Sequence, residues 1–420
     1  MKPVTSGLIL LAVTATSAPF LQASQQSTTN GIIEDSQLKV LNRNIYMNRD
    51  FKNGDRSASG HSYLEEWAHG LITTYSSGFT PGSVGFGVDA FDFLGVKLDS
   101  GDGRVGTGLL ERKKNGDPKD EYSVAGAAIK FQVSNTVLRY GDQLPSLPIF
   151  AISDTRLLPE SASGALITSN EIKNLGLNLG HFTAMRNRNQ TSRDSKNLKS
   201  IDFFGGTYRF TEQLASTLYW SETEDYYRRS YANANYSLPV SSDKRFLFDL
   251  GMYDTKSVGA AVERAWDGDK LDNQLFSLSA AYKFGAHTIA LSHQRVKGDG
   301  GYVYELGSST MYAVHSIQVS DFNQEGEQSW GIRYDLDMEA YGVPGLNYMM
   351  RYVRGSGFTN KNTDNGKEWE RNIEVKYVVQ SGPMKNMSAR VRWATLRSSD
   401  IDNWNLEDVR LIFEYPINVF

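Results

Sequence analysis

Two arginines separated by one residue, Arg390 and Arg392, carry the most direct chemical signal in the chain. On a β-strand, residues two apart project from one face, about 7 Å from each other. Each guanidinium stays charged and offers a planar fork of donors that pairs bidentately with a carboxylate. A row of such groups hands a carboxylate from one pairing to the next, which favours anionic solutes without one deep trap. Taking the polar parity of each alternating segment as inward collects Lys130 and Arg139, then Arg333 and Arg351, then Lys376, Arg390, Arg392 and Arg410. Inward acids share that parity at Asp335, Asp337, Glu374 and Glu414, so the competing reading is a polar lumen whose charges neutralise one another. Against it stands the density of cations in the C-terminal segments.

Such a row needs strands to hold it, and the test for strands is whether apolar and polar residues separate by parity. Phe276, Leu278, Ala280, Tyr282 and Phe284 fall on one face of their segment, with Ser277, Ser279, Ala281 and Lys283 on the other. Trp330, Ile332, Tyr334 and Leu336 oppose Gly331, Arg333 and Asp335. The pattern recurs at Phe246/Phe248/Leu250/Met252, Leu346/Tyr348/Met350/Tyr352, Ile373/Val375/Tyr377/Val379 and Leu411/Phe413/Tyr415. Short turns such as Val343-Pro344-Gly345 alternate with long polar stretches such as 298–310 and 355–368. Short turns at one end and long loops at the other are how an outer-membrane barrel is strung, and the aromatic residues near strand ends suit its girdles. A secreted soluble β-protein also alternates, but does not require those girdles. The expectation is an all-β chain forming a single transmembrane antiparallel β-barrel of about 18 strands, wide enough for an aqueous lumen.

Composition bounds the rest. Met1-Lys2, the apolar run Gly7 to Val13 and the small residues near Ala23 have the layout of a secretory signal peptide. The expected division is a signal over 1–23 and a barrel domain over 24–420. Mean hydropathy is −0.43, which does not argue against a barrel, because each spanning strand greases only alternate positions. With 20 Phe, 22 Tyr, 38 Gly and no Cys, stability must come from a large fold rather than disulfides. A net charge of −4 is unlike the basic surface that meets nucleic acid. The six histidines lack metal-ligand spacing, and no Ser–His pairing is supported, so neither an enzyme nor a cofactor is expected. The stretch from Asp99 to Gly103 is out of step with a calcium loop and reads as a hairpin.

One segment breaks the pattern. Residues 142–164 hold Pro145, Pro148 and Pro159, which block ladder hydrogen bonds, and the apolar Leu147, Ile149, Phe150, Leu157 and Leu158. Folded back into the barrel, this segment packs those side chains on the inner wall and narrows the pore.

Several stretches taken together resemble the OprD, or Occ, family of substrate-specific outer-membrane channels of pseudomonads. They are RNIYMNRDF at 43–51, EEWAHG at 65–70, GSVGFGVDAFDFLGVKLD at 82–99 and DTRLLPESASG at 154–164, then GEQSWGIRYDLD at 326–337, YGVPGLNYMMRYVRG at 341–355, KYVVQSGPMKN at 376–386 and VRLIFEYPI at 409–417. The resemblance implies an 18-stranded barrel, monomeric or loosely trimeric, in the outer membrane of a Gram-negative cell. Its lipid and lipopolysaccharide, and the barrel-assembly machinery, are the implied partners besides small carboxylate solutes. It further implies that the third extracellular loop forms the constriction and that a basic ladder on one wall draws the carboxylate through. Carried over by motif, Arg43 and Arg49 lie in the first-strand match and Arg156 in the constriction loop beside Asp154. Lys376 and Arg410 lie in the C-terminal matches, with Arg390 and Arg392 between them. Ile45 and Met47 share the parity of Arg43 and Arg49 and leave the inward face of that strand ambiguous. The pieces LPIF, DTRLLP and TDNGKEWER are closer to the branch for aromatic and cyclic carboxylates such as benzoate or vanillate than to the branch for basic amino acids.

Overall fold

The computed structural model describes residues 25–100, 104–259, 270–304, 310–398 and 400–420. The expected signal peptide lies outside them, as does part of the stretch from Asp99 to Gly103. The first strands are β1 (Gln37–Phe51), β2 (Tyr63–Ser76), β3 (Gly85–Asp99), β4 (Glu121–Val133), β5 (Thr136–Gln143), β6 (Ser146–Leu147) and β7 (Phe150–Ala151). There follow β8 (Ser161–Ile172), β9 (Leu175–Arg186), β10 (Ile201–Arg209), β11 (Leu214–Thr223), β12 (Tyr227–Pro239), β13 (Lys244–Ser257) and β14 (Asp272–Phe284). The last are β15 (His287–Asp299), β16 (Gln328–Asp337), β17 (Leu346–Asn360), β18 (Thr363–Val378), β19 (Ser388–Ser398) and β20 (Leu406–Asn418).

Eighteen of these form one antiparallel sheet, each paired with the next along the chain. β5 passes directly to β8, and β20 pairs back onto β1 from Lys39↔Asn418 to Phe51↔Leu406. Closure leaves no edge strand and satisfies every backbone ladder internally, the condition for a sheet in hydrocarbon. The strands follow the parity read from sequence. On β17, Met350 and Tyr352 are exposed outward while Val353 is fully buried inward.

β6 and β7 form a two-residue hairpin inside the barrel. The inward segment is 144–160, because Asp142 and Gln143 still belong to β5 and Ser161 to Gly164 to β8. Its leucines settle the parity of β1. Leu157 and Leu158 are fully buried against Ile45, Met47, Phe93 and Tyr122, so the inner face of β1 is apolar where these two leucines cover it. A Cβ on Gly70 would lie 3.2 Å from Leu157, so glycine there lets the loop lie flat on β2. On the other side Ile149 and Phe150 pack on Phe182 and Phe203, with ring centroids 5.0 Å apart for Phe150 and Phe182. The base of the segment is pinned by Lys196 and Glu160, paired at 2.8 Å with both side chains 1% exposed. A second long connection, 300–327, also turns inward, burying Tyr302, Met311 and Ala313 in the same cluster.

Candidate functional site

The inner faces of β18, β19, β20 and β1 build a row of cations. Register sets Lys376 opposite Arg390 and Glu374 opposite Arg392 across β18 and β19, and Arg392 opposite Arg410 across β19 and β20. Glu374 is a shared counter-ion, 3.7 Å from Arg390 Nε and 3.1 Å from Arg392 Nε. One carboxylate thus faces two guanidiniums, and Lys376 has no ion-pair partner among the described residues.

Further up the wall, Asp408 accepts from Arg410 Nε at 2.7 Å and pairs with Arg49 Nη2 at 2.9 Å. Arg410 also donates to the Gln318 carbonyl at 2.9 Å, and the Gln318 amide returns a bond to Asp408 Oδ1 at 2.9 Å. Connection 300–327 therefore rests directly on the row.

From the constriction segment Arg156 donates to the Thr107 carbonyl at 3.0 Å. Arg188, in the connection after β9, reaches the hydroxyls of Ser153 and Thr155 at 3.4 Å each. Burial, and then the charges of Arg410, Arg188 and Arg49, hold the Arg156 guanidinium well below its ordinary pKa. Arg410 and Arg49 pair with Asp408, Arg156 and Arg188 lie near enough to feel both of those guanidiniums, and an eyelet so rich in cations is an attractive place for an anion.

Arg351 lies on the inner face of β17 and donates to Asn372 Oδ1 at 3.0 Å, while its neighbour Arg333 is paired with Asp335 at 2.7 Å. Arg43 faces inward but its donors are occupied. It forks onto Asp154 at 2.6 and 3.1 Å, pairs with Glu414 at 2.8 Å, and donates to the Arg156 carbonyl at 3.0 Å. Its place is that of a clamp joining β1, β20 and the constriction loop. Lys130 is almost fully buried on β4, paired with Asp89 at 2.6 Å and donating to the Ser77 carbonyl at 2.7 Å. It sits apart from the main row, and Arg139 shares its Asp89.

Arg188, Asp408 and Gln318 were missed from sequence. For Arg188 a signal existed in its two-residue spacing from Arg186 at the end of β9, but the polar run around it hid any parity. Arg186 itself is a buried fastener, donating to the carbonyl of Pro159 and to Ser161 Oγ.

The opposite wall differs. β11 and β12 are the ninth and tenth wall strands from β1, so they stand half-way round from β20 and β1. They bring Tyr219 and Tyr231 inward, the latter 4.6 Å from the ring of Tyr253 on β13. Over these lie Leu147, Ile152, Tyr304 and Tyr312 of the two inward connections, only partly buried. The Tyr312 and Ser146 hydroxyls meet at 3.1 Å, where the two connections touch.

Residues 30–419 match the family described as outer membrane porin, OprD family. Porin D of Pseudomonas aeruginosa is 41% identical over 453 residues, covering 100% of both chains. The crystal structure of P. aeruginosa OpdK with vanillate is 33% identical, with a TM-score of 0.81 over 92% of this chain and 100% of that one. A BenF-like porin from Pseudomonas fluorescens is also 33% identical, with a TM-score of 0.87 over 93% of this chain and 100% of that one. A closed 18-stranded barrel, a charged eyelet and this match over nearly the whole sequence lead to one assignment: the chain belongs to the OprD family of substrate-specific outer-membrane porins.

Proposed function

We propose that this porin admits small carboxylates by passive diffusion, with aromatic or cyclic acids of the benzoate or vanillate type as its preferred solutes. The observation that carries the reading is the division of the eyelet. Arg49, Arg156, Arg188, Arg392 and Arg410 stand on one side, and tyrosines with aliphatic side chains on the other. An acid with an apolar ring meets both, its carboxylate forked by arginine and its ring against the partly buried Tyr304, Tyr312, Leu147 and Ile152 that lie over the wall tyrosines. A neutral sugar would leave the guanidiniums unanswered. The relatives named with vanillate, and as BenF-like, are compatible with the same class.

The test is uptake into liposomes holding the folded protein, with benzoate and vanillate compared with arginine, lysine and a neutral sugar of similar size. Faster entry of the aromatic acids is expected, lost on joint Arg390→Gln and Arg392→Gln replacement while the sugar is unaffected. Preferred uptake of arginine and lysine by the wild type would overturn the aromatic-acid assignment. Equal slowing of acid and sugar would make the two arginines structural partners of Glu374.

A further inference from the structure

The outer face of the barrel carries its own ordered cations, which the permeation path does not use. On β15, β17, β18 and β19 the outward parity is fixed by exposed Leu291, Met350, Val375 and Val391. The same faces, followed toward the extracellular ends, reach Arg295 and Lys297, Arg354, Lys367 and Arg371, and Arg397.

Register gathers them into levels. His293, Trp330, Arg354, Trp369 and Arg397 stand side by side across five strands. One step higher are Arg295, Gln328, Ser356 and Lys367. One step lower the wall turns apolar with Leu291, Ile332 and Tyr352, apart from Arg371. With neighbouring strands about 4.8 Å apart, Arg354 and Arg397 flank Trp369 at roughly 10 Å from each other. Arg354, Lys367, Arg397, Trp369 and Tyr352 line an open groove of about 450 Å³, together with Glu368, whose buried carboxylate accepts from Trp404 at 2.7 Å and Ser320 at 2.9 Å.

Arg354, Lys367 and Arg295 are exposed and have no acidic partner among the described residues, whereas Arg397 is held by Glu407 at 2.7 Å. Elsewhere the outer faces of β2 and β4 hold Glu65 and Glu121 and no lysine or arginine, and the outward Arg228 of β12 and Lys256 of β13 are paired with Glu222 at 2.8 Å and Asp272 at 3.4 Å.

We propose that this groove binds the phosphorylated headgroup of an outer-leaflet glycolipid. Arg354 and Lys367 take the phosphate oxygens, Arg295 extends the site along the upper level, and the Trp330 and Trp369 rings carry the sugar and the roots of the acyl chains. Guanidinium pairs with phosphate through parallel charge-assisted bonds, and indoles favour the boundary between hydrocarbon and water. A lipid is the occupant, rather than a free anion, because the cations continue upward from lipid-facing Leu291, Ile332 and Tyr352 and face away from the lumen.

The experiment is native mass spectrometry of the folded, detergent-purified porin with diphosphorylated lipid A, dephosphorylated lipid A, phosphatidylglycerol or inorganic phosphate. Diphosphorylated lipid A should be retained at least tenfold more strongly than its dephosphorylated form, and joint Arg354→Gln and Lys367→Gln replacement should abolish that preference. Arg295→Gln with Lys297→Gln serves as a second variant should the first fail to fold, with a smaller loss expected. Heat-modifiable gel mobility reports folding in both. Retention unchanged in the folded variants would overturn the proposal. So would equal binding of phosphatidylglycerol, the mark of an unselective charged rim, or displacement of lipid A by equimolar inorganic phosphate, the mark of a free-anion site.

Discussion

Replacing Arg43 by Gln separates a rung of the ladder from a clamp. The Arg43 side chain is 7% exposed, against 46% for Asp154 and 23% for Glu414. Removing one partner of a fully buried pair costs about 3–5 kcal/mol. Water reaches Asp154, so the contact is partly screened, and about 2 kcal/mol is the discounted figure. That shifts the balance between seated and lifted loop by roughly 30-fold. The lift should stay local, because Lys196–Glu160 and the buried Leu157 and Leu158 still fasten the rest of the segment. In planar bilayers Arg43→Gln should show higher conductance and more open-channel noise, with the barrel still heat-modifiable on gels. Asp154→Asn should act in the same direction but less strongly, since Arg43 keeps Glu414 and the Arg156 carbonyl, and the double variant should add little to Arg43→Gln because their shared contact is already gone. If Arg43→Gln instead leaves conductance and noise unchanged and only slows carboxylate uptake, the residue is a rung and the clamp reasoning fails.

Glu374→Gln frees Arg390 and Arg392 from their shared counter-ion, and reversal-potential measurements should move toward anion selectivity; a move toward cations would contradict the assignment of these arginines to the conducting wall. Lys196→Met leaves Glu160 buried without its partner, which should weaken loop seating by about 3–5 kcal/mol, whereas Lys196→Met with Glu160→Leu should recover most of that loss; limited proteolysis within 144–160 reads both, and equal protection in all three proteins would refute a structural role for the pair. His315, in connection 300–327, lies between the hydroxyls of Ser329 at 2.6 Å and Ser292 at 2.9 Å, and burial, then the charge of Arg351, pushes its pKa down from 6.5 to about 3. A lifted connection would titrate near 6.5 and bind the proton that the seated one refuses, so seating is fully favoured above that value and weakens as pH falls toward 3. Channel noise should therefore rise between about pH 7 and about pH 4, and His315→Asn should flatten the trend; a flat profile in the wild type would show that this histidine does not hold the connection.

The alternation of Phe276 to Phe284 or Trp330 to Leu336 was enough to announce barrel strands, because lipid on one side and water on the other sort side chains by parity, and parity is a local property of the chain. Within the expected 142–164, residues 144–160 announced themselves as an inward loop for the complementary reason, since prolines without alternation cannot form a wall, whereas the two ends belong to β5 and β8. Parity likewise pointed Lys376, Arg390, Arg392 and Arg410 inward before any contact was known. It failed on β1, where Ile45 and Met47 are apolar and inward because Leu157 and Leu158, more than 100 residues away, cover them. Charge pairing was equally out of reach. Whether an inward arginine faces solute or a carboxylate depends on which acid another segment brings within about 4 Å, and that turned Arg43 toward Asp154 and Glu414 while leaving Lys376 without an ion-pair partner among the described residues. Arg188 joined the eyelet only because its loop folds over Ser153 and Thr155. Strand identity and facing are decided between neighbours in sequence, whereas the composition of the eyelet is decided by loops whose contacts span the length of the chain.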